Sequence, residues 1–191
     1  TAVLSYLGNL ALPIGNAKLA AVVYGGVGTE QVQFNEDTIW TGQPHDYAHP
    51  GAASFLSGMQ LNIFELTSGK TTFWNTCSAN FMSLPVREAA YQPAGTLHLA
   101  FPHSGLVNYQ RSLDLSNATV NVKYDFNGVS YSRDYFASAP SNQVIVIRLA
   151  ASQPAKITFT ATFSTLQSAS NYTMGNDLVM HARVLNNGDP R

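Results

Sequence analysis

The sequence predicts an all-β-dominated chain, a large antiparallel β-sandwich of the super-sandwich kind with one inserted helix. Three observations predict it. Apolar and polar residues alternate with period two in many short runs, Gly, Asn and Pro separate those runs, and a single long stretch carries helical spacing. No repeat, heptad or low-complexity tract competes with that reading. Many short strands with one helical insertion argue for a sandwich over a doubly wound α/β fold.

Along the chain, Ala20 to Val27 is an apolar run closed by Gly25-Gly26, and Glu30 to Phe34 follows a Gly28-Thr29 turn, so the two form a hairpin. Ala52 to Ser68 differs. Phe55, Met59, Ile63 and Leu66 recur at helical spacing, with Pro50-Gly51 before them and Gly69 after, which predicts an amphipathic helix over about 51–69 packed over a sheet edge or end. Thr71 to Ala90 reads as either a short helix or a loop, limited by Pro85. Thr96 to Phe101 is a strand with Leu97, Leu99 and Phe101 on one face.

The clearest hairpin comes next. Val120, Val122, Tyr124 and Phe126 alternate with polar residues, Asn127-Gly128 suits a type I′ turn, and Val129 and Tyr131 resume the alternation. The period slips at Arg133-Asp134, because Tyr135 and Phe136 are adjacent, so a β-bulge is expected there. Val144-Ile145-Val146-Ile147 reads as a central strand covered on both sides. Ile157, Phe159, Ala161 and Phe163 alternate with threonines as a half-buried strand, and Asn186 to Arg191 reads as a turn that leaves the sandwich unfinished at its C-terminal end.

At 191 residues the chain is long enough for one domain with a sizeable core. Charged residues make up only 11% and the net charge is -1, which removes the electrostatic case for nucleic acid or an anionic membrane as partner. Neutral sugars suit this composition better than phosphates. No apolar run approaches the roughly 20 residues of a membrane helix. Cys77 is the sole cysteine, so no intrachain disulfide forms. Asn117-Ala118-Thr119 and Asn171-Tyr172-Thr173 are glycosylation sequons and, with the Ser, Thr and Asn richness, point to a secreted protein, or a periplasmic one in a bacterium.

Most catalytic chemistries find no footing. His45 and His49 are four apart but flanked by Pro44 and Pro50, so they do not share a helix that would present a metal, and no metal or cofactor site is predicted. There is no nucleophile elbow, no Gly-x-Gly-x-x-Gly and no phosphate-binding loop. Glu36 and Asp37 are adjacent, so on an extended strand they point to opposite faces and do not flank one bond, while Asp114, Asp125 and Asp134 read as solvated. The segment Asn35 to Tyr47 remains. It gathers Asn35, Glu36, Asp37, Trp40, Gln43, His45 and Asp46 around Gly42 and Pro44. Two readings stand for it: Trp40, with Tyr47 beside it, stacks on a sugar while Asn35, Glu36 and His45 rim a pocket, or Trp40 plugs a core or a domain interface and Asn35 caps a turn.

Three runs near the start, Ala11-Leu12-Pro13-Ile14-Gly15-Asn16, Val22-Val23-Tyr24-Gly25-Gly26-Val27 and Asn35-Glu36-Asp37-Thr38-Ile39-Trp40-Thr41-Gly42, resemble the N-terminal domain of glycoside hydrolase family 95, the α-L-fucosidases. The likeness continues in Gln92-Pro93-Ala94-Gly95-Thr96-Leu97, in Tyr109-Gln110-Arg111-Ser112-Leu113-Asp114-Leu115 and in Tyr131-Ser132-Arg133-Asp134-Tyr135-Phe136-Ala137-Ser138, so it covers most of the chain in order. One run departs. Where the family usually shows Gly-Asn-Gly-Arg-Leu-Gly, this chain has Gly15-Asn16-Ala17-Lys18-Leu19-Ala20, and Lys does not reproduce a bidentate Arg contact.

The resemblance implies an N-terminal sandwich followed by a helical linker, an (α/α)6 barrel and a C-terminal β domain. It implies inverting hydrolysis of terminal α-linked L-fucose, typically α-1,2 to galactose, or of α-L-galactose in some members. The acid, the base and its Asn partners belong to the barrel, so no catalytic residue is expected in residues 1–191. The implied partners are a fucosylated glycan and the barrel of the same polypeptide, and an apolar face is expected where the barrel sits.

Overall fold

The computed structural model describes residues 11–42, 45–64, 71–84, 86, 89–139 and 141–184. The chain divides into two compact units, residues 1–39 with 91–185 and residues 40–90 with 186–191. The first unit is the antiparallel sandwich that the alternation predicts. One sheet has the order β1-β2-β3-β4-β9, formed by Leu12–Gly15, Leu19–Val23, Thr29–Glu36, Gly95–Ala100 and Thr160–Ser164. The other has the order β5-β6-β7-β8, formed by Val107–Asp114, Thr119–Phe126, Val129–Ala137 and Ile145–Ala151. A separate hairpin joins β10 (Ser168–Met174) to β11 (Asp177–Arg183).

The core lies between the two large sheets. Ile14, Ala21, Val23, Val27 and Val32 come from one side, and Val120, Val122, Tyr124, Val129, Tyr131 and Tyr135 from the other. Apart from Val27, which lies in the loop between β2 and β3, each set follows strand parity, so burial of apolar surface fixes the register of both sheets. The β6–β7 hairpin has the expected turn: Phe126 pairs with Val129, and Asn127 and Gly128 take φ of 48° and 73°.

Three expectations are corrected. No bulge occurs at Arg133-Asp134, because β6 and β7 pair without interruption from Phe126↔Val129 to Val120↔Tyr135. The alternation does not slip there, since Arg133 takes an inner position between Tyr131 and Tyr135, and all three are buried. The bulge lies in β5 instead, between Val107 and Gln110. Val144 to Ile147 is not a central strand either. β8 pairs only with β7 among the described residues, its residues are mostly half-buried, and Val144 precedes it, 46% exposed. A four-residue apolar run does not distinguish one buried face from two. β9 is shorter than the alternation suggests, since Ile157 and Phe159 precede it.

The second unit carries the helices, α1 (Ala52–Phe64) and α2 (Thr71–Asn80), which pack on one another. Gly51 enters α1 at φ 83°, and the Ser54 hydroxyl donates to its carbonyl at 2.7 Å. Of the apolar side chains described in α1, Phe55 and Leu56 are exposed while Met59 is half-buried, so these three do not share one covered face. Residues 65–69 of the expected helix, with Leu66, lie outside the described residues, as do Gln43, Pro44, Pro85 and the Asn186–Arg191 turn.

The β1–β2 turn explains one departure from the family pattern. Asn16 Oδ1 accepts from the backbone of Lys18 and Leu19 at 3.2 and 2.8 Å, and its amide donates to the Ser138 carbonyl at 2.9 Å. Those bonds hold Ala17 at φ 73°, in the left-handed region that disfavours a residue with a Cβ. Ala17→Gly therefore stabilises the protein by about 1 kcal/mol, seen as a rise of roughly 2–4 °C in the thermal midpoint. An unchanged or lower midpoint counts against strain at this turn.

Candidate functional site

Of the residues singled out in the sequence, Asn35 and Glu36 belong to the sandwich unit. Asn35 is bound on three sides. Its Oδ1 accepts from the Glu36 and Ala94 backbones at 3.0 and 3.1 Å, and its amide donates to the Gln92 carbonyl at 3.1 Å. It holds the Gln92-Pro93-Ala94-Gly95 run against β3, with Thr165 and Gln167 clasping the same run through the Ala94 and Pro93 carbonyls. Gly95 is needed there, since a Cβ would come within 2.9 Å of the Ser164 carbonyl.

Glu36 ends β3, and its Oε2 accepts from the Thr38 backbone and hydroxyl at 2.8 and 2.5 Å. The expectation that Glu36 and Asp37 point apart fails, because the chain turns immediately after Glu36 and the two carboxyls hydrogen-bond to each other. That bond raises the Asp37 carboxyl above its usual range, while the Thr38 donors hold Glu36 below it. Two acids in direct contact leave no room between them for a sugar and a water.

Trp40 and His45 belong to the second unit. Trp40 is 47% exposed, so it is not a core residue within that unit. His45 donates from Nε2 to the Leu84 carbonyl at 2.9 Å and meets the Tyr47 ring edge-on at 5.0 Å. His49 donates from Nδ1 to the Met82 carbonyl at 2.9 Å. Both histidines thus pin the loop to the segment after α2. Among the described residues, no group of three His, Cys, Asp or Glu side chains is arranged to hold a metal. Asn117 and Asn171 are both exposed, on the β5–β6 turn and on β10.

The main concentration of charge is one that residue-by-residue reading missed. Glu30, Arg133, His103, Tyr124 and Tyr135 lie buried between the sheets. Arg133 donates to the Gly26 and Val27 carbonyls at 2.7 and 2.8 Å and to the Tyr124 hydroxyl at 2.8 Å, and it faces Glu30 Oε2 at 3.5 Å. Its guanidinium also lies 3.9 Å from the Phe101 ring centre, a cation–π distance. The other Glu30 oxygen accepts from the Gly25 and Gln31 backbones at 2.8 and 3.0 Å, and Tyr135 donates to Oε2 at 2.7 Å. Burial pushes the Glu30 carboxyl upward, opposed by Tyr135, Gly25, Arg133 and Gln31.

The same loop is held from β5. Tyr109 donates its hydroxyl to the Gly25 carbonyl at 2.8 Å, and Arg111 donates to the Tyr24 carbonyl. With Phe101 donating its backbone N–H to Gly28, every carbonyl from Tyr24 to Gly28 is accounted for. Glycine is required at the centre, since a Cβ on Gly26 would lie 2.1 Å from the Thr29 carbonyl and one on Gly25 would strike Arg111. Parity was the available signal. Glu30 shares a face with Val32 and Phe34, Arg133 with Tyr131 and Tyr135, and His103 with Phe101.

Arg133 only donates, so Tyr124 must give its own proton to His103 Nδ1, 2.9 Å away. His103 is therefore the neutral Nε2–H tautomer, and burial, with the Arg133 charge adding to it, lowers its basicity.

The arrangement defines an antiparallel β-sandwich domain whose interior charges serve its own backbone. The family model for the glycosyl hydrolase family 65 N-terminal domain matches residues 7–190, and the chain belongs to that family. Alpha-L-fucosidase 2 of Arabidopsis thaliana is 36% identical over 157 residues, covering 80% of this chain and 18% of the relative. Probable alpha-fucosidase A of Aspergillus niger is 30% identical over 158 residues, covering 78% and 19%, and its Aspergillus oryzae counterpart is 26% identical over 145. The resemblance to α-L-fucosidases is thus borne out, with the matched domain carrying the family 65 description. The chain spans about a fifth of the length of these relatives.

Two outcomes test the cluster. Arg133→Met and Glu30→Met each cost about 3–5 kcal/mol in urea unfolding, because each strands a buried partner. The double variant falls short of the sum yet stays well below wild type, since the Gly26 and Val27 carbonyls remain unpaired. Near wild-type stability in either single variant would show that the cluster is dispensable.

For His103, the folded protein prefers the neutral ring. Its contribution is present above the ordinary histidine range near pH 6.5 and is lost as pH falls through it toward the lower folded value. Unfolding free energy therefore drops as pH falls below about 6.5. His103→Asn, whose amide oxygen takes the place of Nδ1 as acceptor for Tyr124, flattens that drop, and an equally steep profile in this variant sinks the assignment.

Proposed function

We propose that this chain is the non-catalytic N-terminal sandwich of an inverting α-L-fucosidase, secreted or, in a bacterium, periplasmic, that removes terminal α-linked L-fucose, typically α-1,2-linked, from glycans or oligosaccharides. The observation that carries the reading is the match of most of the chain to α-fucosidases of which it spans under a quarter. The state of the acids supports it. An inverting glycosidase sets two carboxyls about 6.5–9.5 Å apart across the bond. Here Glu30 is enclosed, Glu36 and Asp37 bond to each other, Asp134 pairs with Arg148 at 3.0 Å, and Asp114 and Asp125 bind Asn117 and Asn108.

On this reading the barrel of the same polypeptide supplies the chemistry, and the sandwich supplies a rigid seat for it. Asn35 and Glu36 act locally, ordering the 92–95 run and the turn after β3, and the exposed Trp40 is the side chain offered to the barrel or to the glycan. The reading of Trp40 as part of an independent carbohydrate-binding module has a separate signature, sugar affinity lost in Trp40→Ala.

Assay on 2′-fucosyllactose tests the reading. The 191-residue chain releases no fucose above background, while a protein of the relatives' full length that begins with this chain turns the substrate over. Fucose release by the 191-residue chain at a comparable rate would overturn it.

A further inference from the structure

We propose that the outer face of the β5–β8 sheet is a binding groove for neutral, hydroxyl-rich sugar units, distinct from the Asn35–Tyr47 segment. The inner parity of this sheet is taken by Val120, Val122, Tyr124, Val129, Tyr131, Arg133 and Tyr135. The outer parity forms rows across the strands, one of which runs Gln110, Lys123, Ser132, Ala150. Long side chains on β5 and β6 therefore stand beside small ones on β7 and β8, and the step forms an open depression of about 500 Å³. That volume falls within the roughly 300–1,000 Å³ of small-molecule sites.

The β5 bulge shapes the wall of this step. It holds Asn108 at φ 56°, and the Asn108 amide donates to Asp125 Oδ2 at 2.7 Å. Ser130 bonds the same carboxylate, so Asp125 is fixed in place and kept ionised. Bulges commonly re-aim a side chain beside a site. By contrast, the side chains of Gln110, Lys123 and Ser132 make no hydrogen bond or ion pair among the described residues.

The lining selects a ligand class. Gln110 and Ser132 both donate and accept, Lys123 donates and Asp125 accepts, which matches hydroxyl groups that do both. Lys123 and Asp125 cancel in charge, which disfavours phosphates and carboxylates. The nearby Tyr124 and Tyr131 rings stack on each other on the inner side, so the groove offers hydrogen bonds without an aromatic platform. Affinity is accordingly weak, on the order of millimolar. A weak site of this kind still raises the local concentration of a glycan for chemistry elsewhere on the same polypeptide. The ligand class rests on the lining alone, whereas the inclusion of a fucosylated probe rests on the proposed function.

The test is an NMR titration of the isotopically labelled 191-residue chain with 2′-fucosyllactose, lactose and cellotriose up to about 20 mM, well above the expected millimolar range. Saturable amide shifts centred on Gln110, Lys123, Ser130, Ser132 and Ala150 uphold the groove. Gln110→Ala with Lys123→Ala, and separately Ser132→Leu, which fills the step, weaken binding at least tenfold with thermal midpoints unchanged. If a variant unfolds, the wild-type titration decides alone. A response to lactose and cellotriose but not to the fucosylated sugar upholds the groove and restricts it to unfucosylated units, while the fucosidase reading stands or falls on fucose release by the longer protein. No saturable shift on this face with any of the three overturns the proposal, as does a response confined to residues 35–47 or tighter binding of inorganic phosphate at Lys123.

Discussion

The sandwich depends on how the loop between β2 and β3 is satisfied. This loop runs between two apolar sheets, where an unpaired carbonyl costs about as much as a lost hydrogen bond and its solvation together. Its carbonyls from Tyr24 to Val27 are taken in turn by Arg111, Tyr109 and Arg133, all from the opposite sheet. Sheets packed face to face sit about 10 Å apart, so only long donors reach across. Arg and Tyr are the side chains with that reach, and the forked guanidinium serves two neighbouring carbonyls at once. Glu30 completes the arrangement by taking the Gly25 N–H and facing the Arg133 charge. One loop thereby ties β2, β3, β5 and β7 into a single register.

Much of the fold was legible because local chemistry dictated it. The Asn127-Gly128 turn, the alternation in β6 and β7, and the β2–β3 and β4 strands all followed from periods and turn residues that act within a few positions. The buried charges were missed because distant partners settle them. Arg133 reads as a break in the pattern because a charge at an apolar parity is unfavourable without partners, and its partners Gly26, Val27 and Glu30 lie 103 to 107 residues away. Read strictly by parity, Glu30, His103 and Arg133 form one anomaly of three polar residues on three inner faces. Val144 to Ile147 failed for the opposite reason, since its composition states that the run is apolar and says nothing of how many neighbours the strand has.

The candidate site divides along the same line. Asn35 and Glu36 were picked as polar residues near a Trp, and their bonds are to backbone within a short reach of β3. His45 and His49 likewise bind carbonyls of the segment after α2. The runs that carry the family likeness are the ones that build the clasp: Tyr24-Gly25-Gly26-Val27, Tyr109-Gln110-Arg111 and Tyr131-Ser132-Arg133. A family signature in such a domain marks a shared packing solution. It identifies the fold strongly and locates no chemistry, because chemistry is assigned by the geometry of reacting groups and not by fold.

The buried ion pair itself is the least indispensable part of that solution. A well-packed apolar pair often equals or exceeds a buried Arg–Glu pair in stability, since desolvation of both ions offsets their attraction. The 3.5 Å separation of Arg133 Nη1 from Glu30 is also longer than its 2.7 Å bond to the Gly26 carbonyl. The carbonyls, in contrast, belong to the main chain and have no apolar substitute. Arg133 is therefore held in the core by the loop, and Glu30 follows because a buried guanidinium requires a counter-charge and Gly25 requires an acceptor. The order of necessity runs from the loop to the cation to the anion, which is why Gly26, with no room for a Cβ against Thr29, stands at its origin.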